Sequence, residues 1–157
     1  MGARSGLALK GLQWFLRGVQ FCCAAIVLAI YSYFLATLHN HGLEIATWIR
    51  SVEGISGFAT LYTGVSLLFL WCLAGHRWWS LATMILDFAF VAAFIYVASA
   101  NRGGAGRCEG VVDTPFGTGD ADTNVVDDGR GGFTALPSFR TACRLETACM
   151  SVSIVVM

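Results

Sequence analysis

The stretch "ATMILDFAFVAAFIYVA", Ala82 to Ala98, is apolar almost throughout and yet carries one carboxylic acid, Asp87. It lies within residues 78–101, where Asp87 is the only charged residue. A helix of about 20 such residues crosses the roughly 30 Å hydrocarbon core of a bilayer. An acid near mid-membrane costs about 2.5–3.5 kcal/mol on insertion scales, so we expect Asp87 to face protein rather than lipid. The stretch therefore indicates a membrane helix packed against other helices.

The composition of the whole chain agrees with a membrane protein. Of its 157 residues, 56% are hydrophobic and only 13% are charged, whereas soluble domains have about a quarter charged residues. Two further segments, residues 18–43 and 54–76, contain no charged residue. The formal net charge of zero leaves no basic surface typical of nucleic-acid binding. We expect the lipid bilayer to be the main partner and no cofactor to be bound.

We predict an all-α membrane bundle with three full transmembrane helices, a short or truncated fourth helix and a long Gly/Asp-rich loop before it. The helices are expected at about residues 14–38, 52–75, 78–100 and 139–157, and a flexible loop at 101–137. The first apolar segment is too long for a signal-peptide core, so we interpret it as a retained helix.

The last helix is predicted to be incomplete. Only 11 residues follow Glu146, which is about 16 Å of helix and covers half a bilayer. We favour a fourth span that is cut short over a C-terminal amphipathic segment at the surface.

The orientation follows from the basic residues that precede the first helix. Arg4, Lys10 and Arg17 have no acidic neighbour in the N-terminal segment. Basic residues favour the cytoplasmic side, so we predict a cytoplasmic N-terminus and an exterior or lumenal long loop.

Four stretches together resemble the four-helix MARVEL-domain proteins of filamentous fungi, over nearly the whole chain from about Leu7. They are "LALKGLQWFLRGVQF", "ATWIRSVEGISGFATLYTGVSLLFLWCLAGH", "LDFAFVAAFIYVASANRGGAGRCEG" and "FTALPSFRTACRLETAC". The resemblance implies membrane apposition, vesicle trafficking and organisation of lipid microdomains, cytoplasmic termini and no enzymatic activity. It also implies a plasma-membrane or secretory-vesicle location, and it is compatible with sterol-rich membranes and homo-oligomers.

The long loop carries a candidate disulfide. Cys108 and Cys143 flank it on the side predicted to be exterior or lumenal, where disulfides persist. Cys149 is the competing partner, and two free thiols are the alternative.

Helix two offers both hydrogen-bond partners for Asp87 and a packing surface. At the depth of Asp87 on an antiparallel helix two, Ser66 and Tyr62 are within reach. We expect an Asp87 that lacks a cationic partner, is protonated and donates a hydrogen bond between helices. Small residues that allow close helix approach recur at four-residue steps, namely Ser56, Thr60 and Gly64.

Weaker signals concern thiols and histidines. Cys22 and Cys23 are candidates for S-palmitoylation, with helix packing as the simpler interpretation. His39, His41 and Glu44 lack a second ligand cluster, so we interpret them as solvated loop residues and predict no metal site.

Two functions from different classes fit the sequence. One is a non-enzymatic structural membrane protein that organises membranes or accompanies vesicle traffic. The other is a small channel or proton/ion transport subunit with Asp87 as its polar centre.

Overall fold

A computed structural model describes residues 2–72, 77–127 and 132–156. Within these ranges the α-helices are α1 (Gly2–Asn40), α2 (Thr47–Cys72), α3 (Arg77–Ala100) and α4 (Phe139–Val156). The segment between α3 and α4 forms a 3₁₀ turn (Arg102–Ala105) and strands β1 (Val111–Thr114), β2 (Gly117–Asp120), β3 (Val125–Asp127) and β4 (Phe133–Ala135).

The helical class agrees with the sequence, whereas three full spans and a fourth are not supported. Over the described residues, two helical segments are long and apolar enough to cross a membrane, Lys10–Asn40 in α1 and Leu81–Ala100 in α3. α1 begins well before the predicted residue 14. The predicted end of helix two and most of its short turn, residues 73–76, lie outside the described residues.

α1 and α2 pack antiparallel, since Gly57 lies against Leu28 and Gly64 lies against Phe21. Most buried residues of the two helices alternate in steps of three and four. They are Ala24, Val27, Tyr31, Phe34 and Leu38 on α1, and Val52, Ser56, Ala59, Thr63 and Ser66 on α2. This 3.5-residue period is that of helices crossing at a shallow left-handed angle.

The predicted packing stripe is therefore only partly right. Ser56 is fully buried, but Thr60 and Gly64 are half-buried at the border of the contact. Residues spaced four apart shift progressively around a helix that has 3.6 residues per turn. Residues spaced alternately three and four apart stay on one face. Ala59 and Thr63 therefore occupy the contact instead.

α3 runs parallel to α1, because Arg17 meets Asp87 and Tyr31 meets Asn101. Since α3 ends at Ala100, the last residues of α1 project about 14 Å beyond it. α4 packs against both α1 and α3 in the opposite direction. Thr147 of α4 contacts Gly104 beyond the end of α3, and Val156 lies beside Asp87.

The chain between α3 and α4 forms, together with the first half of α4, an ordered cap over the end of α3 (residues 101–127 and 132–149). β1 pairs antiparallel with β2, and β3 with β4. Phe116, between β1 and β2, is buried edge-to-face on Phe34 with ring centroids 5.3 Å apart.

The prediction of a flexible loop over residues 101–137 is wrong for the described part of that range. Backbone hydrogen bonds fix the hairpins to the start of α4, with Phe139 N donating to Thr123 O at 3.1 Å and Arg140 N to Ala121 O at 2.9 Å. The glycine-rich composition, which suggested flexibility, instead allows backbone segments to approach each other closely. Residues 128–131 lie outside the described residues.

Gly104 makes the closest of these approaches. A Cβ at this position would lie 2.5 Å from the backbone nitrogen of Thr147 and 2.7 Å from Glu146 Cβ. The hydroxyl of Thr147 donates to Gly104 O at 2.6 Å. The 3₁₀ turn is therefore seated directly on the backbone of α4.

Gly104→Ala should destabilise the protein, because the added methyl group meets backbone that cannot move freely. We expect a cost of about 1–3 kcal/mol, or roughly 2–10 °C in the unfolding temperature of a chain of this size. Gly106→Ala is the matched control, since a Cβ there meets nothing within 4 Å. Thermal unfolding of both variants in detergent micelles checks the prediction, and equal unfolding temperatures would contradict it.

Candidate functional site

The most polar place among the three long helices is an ion pair between α1 and α3. Arg17 Nη1 donates to Asp87 Oδ1 at 2.6 Å, and Arg17 Nη2 donates to Asp87 Oδ2. The Arg17 side chain is 10% exposed and that of Asp87 is 38% exposed. A two-point guanidinium–carboxylate contact fixes both the distance and the relative rotation of the two groups.

Tyr62 of α2 completes this site, so that three helices meet at it. Its hydroxyl lies 3.3 Å from Asp87 Oδ1 and 3.3 Å from the carbonyl oxygen of Thr83. Its ring faces the Arg17 guanidinium at 5.5 Å, within the range of a cation–π interaction. Gln20 Oε1 accepts a further hydrogen bond from Arg17 Nη1 at 3.4 Å.

The structure corrects the sequence-based description of Asp87. Tyr62 does contact Asp87, whereas Ser66 is buried on the same face of α2 as Ala59 and Thr63. The prediction that Asp87 lacks a cationic partner is wrong, and both of its oxygens accept hydrogen bonds from Arg17. The prediction takes the partners of Asp87 from helix two alone, whereas α1 runs parallel to α3 and brings Arg17 to the depth of Asp87.

A signal for Arg17 was present in the sequence. Charged residues inside membrane helices usually pair with one another, and Arg17 borders the first charge-free segment, as Asp87 interrupts the third. The prediction uses Arg17 only for the orientation of the N-terminus and therefore does not pair it with Asp87.

A small cavity of about 30 Å³ adjoins the ion pair, with room for roughly one or two water molecules. Its polar wall is formed by Arg17, Gln20, Tyr62 and Asp87, and its apolar wall includes Phe90, Phe94 and Val156. The last turn of α4 thus ends directly above the polar centre.

The cysteines divide into one bridged pair and free thiols. Cys108 and Cys143 form a disulfide with Cα atoms 5.8 Å apart, which ties the end of the 3₁₀ turn to the first turns of α4. The competing candidate, Cys149, is free and buried. Of the palmitoylation candidates, Cys23 is buried and only Cys22 presents an exposed side chain.

A second acidic residue, Glu146, is buried in the cap, where the sequence predicted only a short helix. It is 3% exposed, and its Oε2 has no hydrogen-bond partner among the residues that the structure describes. It lies beside the 3₁₀ turn, beyond the end of α3. Burial, with a smaller contribution from Asp113, raises the pKa of Glu146 to about 8.

The loop between α1 and α2 presents its predicted polar residues to solvent. His39, His41 and Glu44 are exposed. In the described ranges of the chain, no three His, Cys, Asp or Glu side chains are grouped so as to hold a metal ion.

Comparisons with known proteins do not identify the chain: no family model matches it, and neither a curated protein nor a solved structure is significantly similar. The resemblance to MARVEL-domain proteins therefore stays a prediction.

Removing either partner of the ion pair should destabilise the bundle, because the other charge is left without its counter-ion. Breaking fully buried pairs costs about 3–5 kcal/mol. Since Asp87 is 38% exposed, we expect a smaller loss, about 1–3 kcal/mol, for Arg17→Leu and for Asp87→Leu. The double variant should lose less than the sum of the two.

Denaturant unfolding in micelles measures the stabilities of the wild type, the two single variants and the double variant. Gln20→Leu is the matched control, because it removes a neighbouring polar group that makes only a 3.4 Å contact, and it should change the stability little. Additivity of the two single changes within about 0.5 kcal/mol would contradict a coupled pair.

Proposed function

We propose that this chain is a non-enzymatic integral membrane protein that organises membranes or accompanies vesicle traffic. The observation that carries the membrane part is a polar centre joining three helices, enclosed by apolar side chains that face outward. The most exposed of these on α2 and α3 are Trp78, Phe88, Leu68, Met84 and Leu61. Such a continuous apolar surface is unusual for a soluble monomer, but it is well solvated by lipid.

In this proposal α1, α2 and α3 span the bilayer and α4 enters it only partly. The level of the hydrocarbon is set by Leu81–Ala100 of α3. Arg17 and Asp87 then lie about 9 Å inside one edge. The cap lies outside the opposite edge, and its disulfide favours an exterior or lumenal location.

The trafficking part of the proposal rests on the resemblance to MARVEL-domain proteins, which is an argument by analogy.

The contacts of Asp87 support a structural role over the alternative of a proton or ion path. Both of its oxygens are engaged by Arg17, and Tyr62 lies against one of them. These contacts tie three helices together, as a packing element requires.

The proposed orientation can be measured with single cysteines at Ser5→Cys and Asp120→Cys, in a background without other free thiols. We expect a membrane-impermeant maleimide to label position 120 on intact cells or sealed lumen-out vesicles. Position 5 should react only after permeabilisation, because the basic N-terminal segment favours the cytoplasm. Labelling of both from the same side would contradict three spans.

Proteoliposomes separate the two candidate functions. For the structural protein we expect proton and cation leak equal to that of protein-free vesicles, in both the wild type and Asp87→Asn. Wild-type flux that Asp87→Asn abolishes would establish the transport alternative instead.

Imaging of the full-length protein with an N-terminal fluorescent tag should place it at the plasma membrane or on secretory vesicles. A location elsewhere would contradict the trafficking proposal.

A further inference from the structure

Three parts of the cap meet at the Glu146 side chain. A Cβ at Gly103 would lie 3.6 Å from Glu146 Oε2 and 3.0 Å from the backbone oxygen of Asp113 in β1. Gly104 is seated on the backbone of Glu146 and Thr147. The carboxyl group therefore fills the contact between α4, the 3₁₀ turn and β1, where water is excluded.

In the described part of the chain, neither a nearby cation nor a hydrogen bond to Oε2 compensates a negative charge on Glu146. Oε2 has no hydrogen-bond partner within the described part of the chain. Asp113 of β1 repels a negative charge there. The other titratable groups that interact with Glu146 are Tyr31 of α1 and Cys149 of α4 itself, and the 3₁₀ turn presents glycines to it.

We propose that Glu146 is a proton-dependent latch, which holds the 3₁₀ turn and β1 on α4 when it is neutral and loosens them when it ionises. Among the described residues, an ionised carboxylate in this contact has no ion-pair partner and is repelled by Asp113, so the cap relieves the charge by opening and admitting water. The neutral acid fits the same space without that cost.

The direction of the pH effect follows from the pKa of Glu146 in the two states of the cap. In the closed cap the pKa of Glu146 is about 8, and in an opened, hydrated cap it returns to its ordinary value of 4.5. The closed state therefore binds more protons between these values, and its stability falls as pH rises from about 4.5 to about 8. The equilibrium for opening increases by up to about tenfold per pH unit in this window.

The consequence is a cap that is tighter in an acidic environment than in a neutral one. In the orientation proposed above, the cap faces a lumen or the exterior, where such pH differences occur. The latch itself does not depend on that orientation, because it is a property of the packed cap. It can be tested separately in detergent micelles.

Hydrogen exchange of the full-length, disulfide-intact protein between pH 5 and pH 8 tests the latch. Protection factors, corrected for intrinsic exchange, are compared for cap amides and for the α1–α2 contact. We expect cap protection to fall by about tenfold per pH unit at its steepest in the wild type, with little change in the α1–α2 contact. Glu146→Gln, which is neutral at every pH, should show no such fall. A wild-type cap without pH dependence, or an equal fall in both proteins, would overturn the proposal.

Asp113→Asn provides a second test should the Glu146→Gln side chain not be accommodated. Its amide oxygen still accepts from Thr118, as Asp113 Oδ1 does at 3.0 Å, but the negative charge beside Glu146 is removed. The pH range over which cap protection falls should then end at a lower pH than in the wild type. An unchanged range would contradict the repulsion between Asp113 and Glu146 on which the proposal draws.

Discussion

The Arg17–Asp87 pair is the interaction on which the arrangement of α3 depends. Most large apolar side chains of this helix are exposed, so apolar packing alone does not define how deep it sits or how it is rotated. The two-point contact with Arg17 and the hydroxyl of Tyr62 define both. Buried ion pairs often add little net stability compared with apolar residues of similar volume, so its main contribution here is to select one register of α3 against α1.

The same register brings the outer ends of the helices together. Because Asp87 lies level with Arg17, Asn101 lies level with Tyr31. The Tyr31 hydroxyl donates a hydrogen bond to Asn101 Oδ1 at 2.9 Å. The 3₁₀ turn then begins where Gly104 can dock on α4, and the Cys108–Cys143 disulfide secures that contact. A shift of α3 by one residue along α1 would displace all of these contacts. The position of the cap therefore depends on the ion pair.

The sequence was informative where a feature depends on composition along one helix, and uninformative where it depends on rotation between elements. Charge-free segments located α1 and α3, and depth counting found Tyr62 as a neighbour of Asp87. Which face of α1 meets α3 depends on packing angles that no single segment encodes, so Arg17 was missed. The hairpins were missed because strands of three or four residues with glycines carry almost no alternating pattern.

The two acids show how environment divides the roles of one chemical group. Asp87 faces a guanidinium and a phenol hydroxyl, so its negative charge is part of what joins the helices. Glu146 faces glycine backbone and another acid, so the same charge works against the packing around it. A carboxylate of the second kind makes the packing conditional on a proton. The bundle thus combines an ion pair between its long helices with a cap whose closure depends on the surrounding medium.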